Sequence, residues 1–344
     1  VNAWWEFWVK NGNPIFVHRS LSSEKIAMSK ESILVIGANG QIGSVLTGAL
    51  RKEFGENNVL ATDIHATNGH EGQFELLNVM DAKAIASAVE RHNITQVYHL
   101  AAILSAKGEQ NPLQTWDINM GGLFNVFEVA REKKVAKVFY PSSIAVFGAD
   151  IPRQKTPQDA VLKPTTVYGM SKTAGELWSQ YYHLKYGMDI RSLRYPGVVG
   201  WQSNPGGGTT DYAVDIYHYA VRGEDYNCFL KENTALPMIY MDDAIRATLE
   251  LMDADAAKIN VRTSYNLAGM SFSPVEIAAS IQKVKPGFKI AYSPDFRQQI
   301  ADSWPESIDD SAARSDWGWK PAFDLEKMTE DMLFHLKAKY RVDS

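Results

Sequence analysis

Tyr168 and Lys172 stand four apart in Tyr168-Gly169-Met170-Ser171-Lys172, a spacing that puts both side chains on one face of a helix. A phenol with a pKa near 10 is a poor base at neutral pH, and a neighbouring ammonium favours its ionised form. The pair is therefore equipped to take the proton of an alcohol, with Tyr168 as base and Lys172 lowering its pKa. Ser142-Ser143 follows the apolar segment 137–141. Strand ends of an open α/β sheet face one crevice, so a serine hydroxyl there can meet the same substrate as Tyr168.

A second constellation suits phosphate. Gly37-Ala38-Asn39-Gly40-Gln41-Ile42-Gly43 directly follows Ile33-Leu34-Val35-Ile36 and opens a helical pattern. Gly37 can make the tight turn, Gly40 admits a pyrophosphate to the backbone, and Gly43 allows close helix–strand packing. The helix N-terminus adds free N–H groups and partial positive charge, so Asn39, Gln41 and Ile42 are expected at the cofactor too. Asp63, about 20 residues past Gly43, is placed for the adenosine ribose hydroxyls. Its charge would repel a 2′-phosphate, and NAD is expected over NADP.

These groups need a scaffold. Candidate strands at 32–36, 58–62, 96–100, 137–141 and 190–194 alternate with helical stretches at about 41–54, 81–92, 112–134 and 167–187. Such alternation means βαβ crossovers and a parallel sheet covered on both faces. Beyond Asn204-Pro205-Gly206-Gly207-Gly208 the rhythm breaks, and prolines punctuate shorter elements. The expected fold is α/β, a doubly wound parallel sheet (Rossmann) with a smaller C-terminal substrate-binding domain. Residues 1–27, rich in tryptophan, are read as an extension outside the fold. Residues 28–200 form the NAD-binding domain with the serine, tyrosine and lysine, and 201–344 serve mainly the substrate. Glycines 206–208 would let their segment close as a lid.

Composition narrows the partners. The 344 residues carry a net charge of −5, which argues against a nucleic-acid-binding surface or a polybasic membrane patch. No apolar run reaches the roughly 18 residues of a membrane span. Cys228 is the one cysteine, which excludes an internal disulfide and suits a reducing cytoplasm. Eight histidines form no His-x-x-x-His pair, so no metal is expected, and no Gly-x-Ser-x-Gly elbow points to a hydrolase.

From about 32 to 340 the chain resembles the extended short-chain dehydrogenase/reductase family. Ser143 lies about 25 residues before Tyr168, as the family's catalytic hydroxyl does, and the resemblance selects it over Ser142. Asn119 resembles the family's helix asparagine near the active site. Leu100, Ala101 and Ala102 resemble the strand end lying along the cofactor. Asn78, beside Leu77, stands where the family has an aspartate near the adenine amino group, and its amide oxygen can accept the same bond. Within the family, Leu104–Glu109, Pro141–Gly148, Leu193–Gly197, Gly208–Ala213 and Trp304–Ser307 resemble segments of the short-chain-type L-threonine 3-dehydrogenases. UDP-sugar epimerases carry Arg-Tyr-Phe-Asn where Arg194-Tyr195-Pro196-Gly197 stands. Sugar dehydratases have an Asp-Glu pair where Ile144-Ala145 follows Ser143.

The resemblance implies NAD-dependent oxidation of the C3 hydroxyl of L-threonine, with Ser143 hydrogen-bonding the oxygen that Tyr168 deprotonates and Lys172 binding the ribose. It also implies Tyr195 and Pro196 at the cofactor, and Ser105, Thr209 and Thr210 at the small substrate. Trp304 is the tryptophan expected nearest to that substrate. Helices 112–134 and 167–187 carry Leu123, Phe124, Phe127, Trp178, Tyr181 and Tyr182 on more than one face. A second apolar face suggests a partner, and the resemblance implies a homodimer built on these helices.

Overall fold

Ile33, Leu34, Val35 and Ile36 are all buried, with no polar alternation, as a strand covered on both faces requires. They form β1 (Ile33–Ile36) at the centre of a computed structural model that describes residues 31–66, 72–202, 204–206 and 208–341. The extension expected over 1–27 lies outside the described residues. The chain continues through α1 (Gln41–Phe54), β2 (Val59–Asp63), β3 (Phe74–Leu76), α2 (Ala82–Arg91), β4 (Gln96–His99), α3 (Ser105–Gly108) and α4 (Pro112–Glu132). Next come β5 (Lys137–Phe139), β6 (Ser142–Ser143), α5 (Val167–Tyr186), β7 (Ile190–Arg191), β8 (Leu193–Tyr195), β9 (Gly197–Val199) and α6 (Tyr212–Arg222).

The main sheet has the order β3-β2-β1-β4-β5-β7, and every pair in it is parallel. This is the strand order of a doubly wound dinucleotide fold, as expected. The order reverses beside β1, which opens a crevice at the carboxyl ends of β1 and β4. Alternate residues of β1 serve opposite faces: Ile33 and Val35 pack with Leu46, Tyr98 and Trp319, while Leu34 and Ile36 pack with Val97, Leu123 and Phe127. Burying each such side chain is worth about 1.5–3 kcal/mol.

Two expectations change. The single strand expected at 190–194 is two strands: β7 pairs with β5, whereas β8 pairs with β6 and β12 (Tyr265–Asn266). Ser192 makes the break, because its carbonyl accepts the Tyr265 N–H at 3.0 Å and its hydroxyl bonds that of Ser264 at 2.9 Å. The ladder is thereby handed to another sheet. On α4 and α5, Leu123, Phe127 and Tyr182 lie in the protein's own core. Trp178 and Tyr181 of the expected set are exposed, and so are Leu113, Trp116, Leu177 and Leu184.

Past α6 the strands are short, beginning with β10 (Tyr226–Cys228), while helices Met241–Asp253 and Leu325–Tyr340 remain long. Strand β11 (Leu236–Tyr240) runs between β9 and β13 (Met270–Phe272), parallel to the first and antiparallel to the second. A separate apolar cluster fills this half, including Ile144, Phe147, Tyr212, Met238 and Trp304, with Tyr168 packed against it.

Candidate active site

The turn after β1 is shaped by close approach. Gly37 has a φ of +90°, and a Cβ on it would lie 2.6 Å from the backbone nitrogen of Ala101. At Gly43 a Cβ would lie 2.2 Å from the Gly37 carbonyl oxygen. Gly40 differs: a Cβ there would meet only the Gly37 oxygen, at 3.4 Å, so its side is open. No side chain caps α1 and no acid occupies its first turn, so the amides at Gln41 and Ile42 are placed for an anion. The Gln41 side chain reaches the Val198 carbonyl at 3.4 Å.

Asp63 ends β2, and its carboxylate accepts the N–H of Asn39 at 3.0 Å and of His65 at 3.3 Å. The Asn39 amide donates to the His65 carbonyl at 2.7 Å, folding the β2 end over the glycine turn. Leu100 and Ala101 follow β4, and their N–H groups bond the Ile36 carbonyl at 2.8 and 3.0 Å. Asn78 is exposed and accepts the Met80 N–H at 3.0 Å, while Leu77 is buried with its N–H on the Asp63 carbonyl. The Tyr195 side chain turns into the core, its hydroxyl bonded to Thr248, and Pro196 is buried beside it. Only their backbone is left to face a ligand. An open glycine cradle, an uncapped helix N-terminus and an acid at the next strand end together fit a dinucleotide.

Thr166 starts α5 by accepting the Gly169 N–H at 3.0 Å, which sets Tyr168 in the first turn and Lys172 one turn on. Ser143 lies close enough to the Tyr168 hydroxyl to lower its pKa. The Lys172 ammonium donates to the Pro141 carbonyl at 2.7 Å, and lies 4.4 Å from the Tyr140 ring centroid and 5.6 Å from that of Tyr168. Ser142 is occupied elsewhere, donating to Glu176 at 2.6 Å, so the two serines are separated by direction. Asn119 accepts the Ile103 N–H at 2.8 Å and donates to the Ser171 hydroxyl at 3.2 Å, tying the 103 segment to α5.

Electrostatics differ from the simple expectation. Burial pushes Tyr168 up to about 12, and the neighbouring Ser143 hydroxyl only partly opposes it. Burial also pushes Lys172 down to about 7 against the pull of Glu176. Desolvation therefore outweighs the lowering of Tyr168 expected from Lys172, and both groups favour their neutral forms.

On the other side, Thr209 is buried and its hydroxyl has no hydrogen-bond partner among the described residues. Thr210 sits where a Cβ on Gly197 would be, 2.7 Å away, so Gly197 admits it beside β9. Ser105 is buried at the start of α3. The Trp304 indole N–H, in the cluster that Tyr168 joins, also lacks a partner among the described residues. Its carbonyl accepts from Arg153 at 3.2 Å. Among the described residues no group of three or more His, Cys, Asp or Glu could hold a metal, and no helix is long and apolar enough to cross a membrane. Glu176 and Arg194 escaped the sequence reading; the available signal was a carboxylate one turn beyond Lys172 on a helix that must bury that face.

A dinucleotide cradle opening beside a serine, tyrosine and lysine marks a nicotinamide-dependent enzyme of doubly wound fold. Residues 33–268 match the model of the NAD dependent epimerase/dehydratase family, and the chain belongs to it. A GalE-like L-threonine dehydrogenase from Cupriavidus necator, in its holo form, is 57% identical with a TM-score of 0.88, covering 89% of this chain and 100% of that one. A monomeric L-threonine 3-dehydrogenase from a metagenome is 48% identical with a TM-score of 0.87, over 89% of this chain and 99% of that one. An uncharacterised epimerase/dehydratase of Staphylococcus haemolyticus is 48% identical over 314 residues, covering 90% of this chain and 98% of its own.

Proposed function

We propose that the protein oxidises the C3 hydroxyl of L-threonine to 2-amino-3-oxobutyrate with NAD as acceptor. One observation carries the reading most: Ser143 beside Tyr168, with Lys172 one helical turn on, in a chain 57% identical to a protein named an L-threonine dehydrogenase. Ionised Tyr168 takes the hydroxyl proton while Ser143 holds the same oxygen. When bound, the oxidised nicotinamide supplies the acceptor for the hydrogen and electron pair leaving C3, and a positive charge that favours the phenolate. Gly37, Asn39, Gly40, Gln41, Ile42 and Gly43 hold the pyrophosphate, and Asp63 the adenosine ribose. Leu77 and Asn78 flank the adenine; Leu100, Ala101, Ala102 and the backbone of Tyr195 and Pro196 line the rest. Lys172 reaches the other ribose.

Ser105, Thr209 and Thr210 bind the ammonium and carboxylate of the substrate, supported by the unpartnered Thr209 hydroxyl. The Gly206–Gly208 segment closes over them and excludes water. In this reading residues 28–200 serve the cofactor and 201–344 mainly the substrate. The single, buried cysteine suits work in the cytoplasm. The outward face of α4 and α5, with Leu177, Trp178 and Leu184 exposed, supports a two-fold homodimer. Light scattering across dilution tests the assembly, and a monomeric mass with full specific activity would overturn it.

NADH absorbance with L-threonine as sole substrate tests the activity. Interconversion of UDP-galactose and UDP-glucose without net NADH would replace the reading with an epimerase. Tyr168→Phe should lower turnover about 10²–10⁴-fold while NAD still binds. Because burial raises Tyr168, turnover should climb as pH rises through neutrality and the ionised fraction grows.

A further inference from the structure

Beside the proposed reacting groups runs a buried polar chain that the chemistry above does not use. Glu176 is fully buried on α5, one turn past Lys172. Its carboxylate accepts from Arg194 Nε at 2.9 Å and Nη2 at 2.8 Å, and from the Ser142 hydroxyl at 2.6 Å. Arg194 Nη1 then donates to Asn266 Oδ1 and to the Gln158 carbonyl, each at 3.0 Å. Asn266 Nδ2 continues to the carbonyls of Thr156 and Asp309, each at 3.1 Å. One carboxylate thus joins α5, β6 and β8, and the guanidinium extends the chain to β12.

Stability alone is a weak reason for this pair. Desolvating two charges is costly, and apolar residues of similar volume often serve a core as well or better. Position supplies the missing reason. Helix α5 carries Tyr168 and Lys172, and β6 carries Ser143. Ser142 pairs with Arg194 and Ser143 with Tyr195 in the β6–β8 ladder. Successive side chains of a strand point to opposite faces, so anchoring Ser142 on Glu176 aims Ser143 at Tyr168.

The geometry points to Glu176, with Arg194 and Ser142, as the positioning device that holds Ser143 and Lys172 in register with Tyr168. The inference rests on the reading of those three residues as the reacting set. Charge adds to it. The other titratable groups facing Lys172 are His99, Tyr140 and Tyr168. Burial pushes His99 down to about 3 and raises both tyrosines, so all three are neutral at pH 7. Glu176 is then the anion that favours the Lys172 ammonium.

The test uses the full chain with lysine labelled at Cε, whose NMR shifts follow the Lys172 titration without any turnover. Glu176→Gln should lower that midpoint by roughly one pH unit. It should also cut kcat about tenfold or more, with KM for L-threonine within about twofold. The double variant Glu176→Met, Arg194→Met should melt close to the parent yet keep the kcat loss. A folded Glu176→Gln protein with unchanged midpoint and kcat overturns the proposal, as does recovery of kcat in the double variant. Should Glu176→Gln not fold, Ser142→Ala removes a single hydroxyl: a several-fold kcat loss at the parental melting temperature supports the proposal, and parental kcat overturns it. If the parent itself does not oxidise L-threonine, the functional reading fails, and the Lys172 midpoint alone decides the network.

Discussion

Two glycine-rich segments flank the crevice, and they use glycine for opposite reasons. In the turn at 37–43, backbone is pressed on backbone: a Cβ at Gly37 or Gly43 would fall within 2.6 or 2.2 Å of main-chain atoms. In the segment at 204–208 the described glycines face side-chain atoms and not backbone. A Cβ at Gly206 would meet nothing nearer than Asp211 Oδ2 at 3.8 Å, and at Gly208 the nearest atom is Asp211 Oδ1 at 3.0 Å. One carboxylate makes the shortest of its described contacts: Asp211 Oδ2 accepts the N–H of Gly206 at 2.6 Å and of Gly208 at 2.8 Å, beside an Asp211 N–H to Gly208 carbonyl bond at 3.2 Å and a Lys339 to Asn204 contact at 3.5 Å. The first is a rigid mould for a ligand common to a whole family. The second is a tether made mainly by one side chain, which suits a part that opens for substrate.

The largest expected effect tests the mould. Gly43→Ala forces a methyl into the Gly37 carbonyl, and overpacking against backbone costs about 1–3 kcal/mol or more. We expect a lowered melting temperature and loss of NAD binding by calorimetry. Parental values for both would break the rigid half of the comparison. Next comes Asp63→Ala, which removes the acceptor now engaged by Asn39 and His65. NAD affinity should fall about tenfold, the worth of one hydrogen bond to a charged group, and its advantage over NADP should narrow. An unchanged preference would take the ribose role away from Asp63.

The same contrast explains what was legible beforehand. The mould could be read because spacing alone constrains it: three glycines, a following helix and an acid at the next strand end are local facts. Helices at 41–54 and 167–187 likewise matched α1 and α5 almost to the residue, since amphipathic period and flanking glycines are local too. The break at Ser192 was not legible, because its cause is Ser264 and Tyr265, far along the chain. Glu176 and Arg194 were hidden for a related reason. A charged residue on a helix reads as surface until its partner is known, and these partners are 18 residues apart. The third strand, Phe74–Leu76, is too short and too polar to announce itself.

A smaller effect tests the tether. Asp211→Asn leaves the backbone unchanged but weakens an acceptor that now serves two N–H donors. A net hydrogen bond is worth about 1 kcal/mol, so KM for L-threonine should rise several-fold while the dissociation constant of NAD stays put. Equal losses in both would mean that Asp211 supports the whole fold and not the segment.

The smallest effect is expected at Gly208, and it makes the sharpest contrast with Gly43. Gly208→Ala adds the same methyl as Gly43→Ala, and the nearest atom is again an oxygen. Here that oxygen ends the flexible side chain of Asp211, 3.0 Å away, and can yield by a few tenths of an ångström. The lost chain freedom of the unfolded state favours alanine by about 0.4–1 kcal/mol, and the displaced Asp211 contact offsets a similar amount. Thermal unfolding should therefore shift by no more than about 2 °C. Substrate KM should change less than the several-fold rise expected for Asp211→Asn, because both N–H donors remain. A collapse like that of Gly43→Ala would show that the second segment is as tightly moulded as the first, and the distinction between mould and tether would fall.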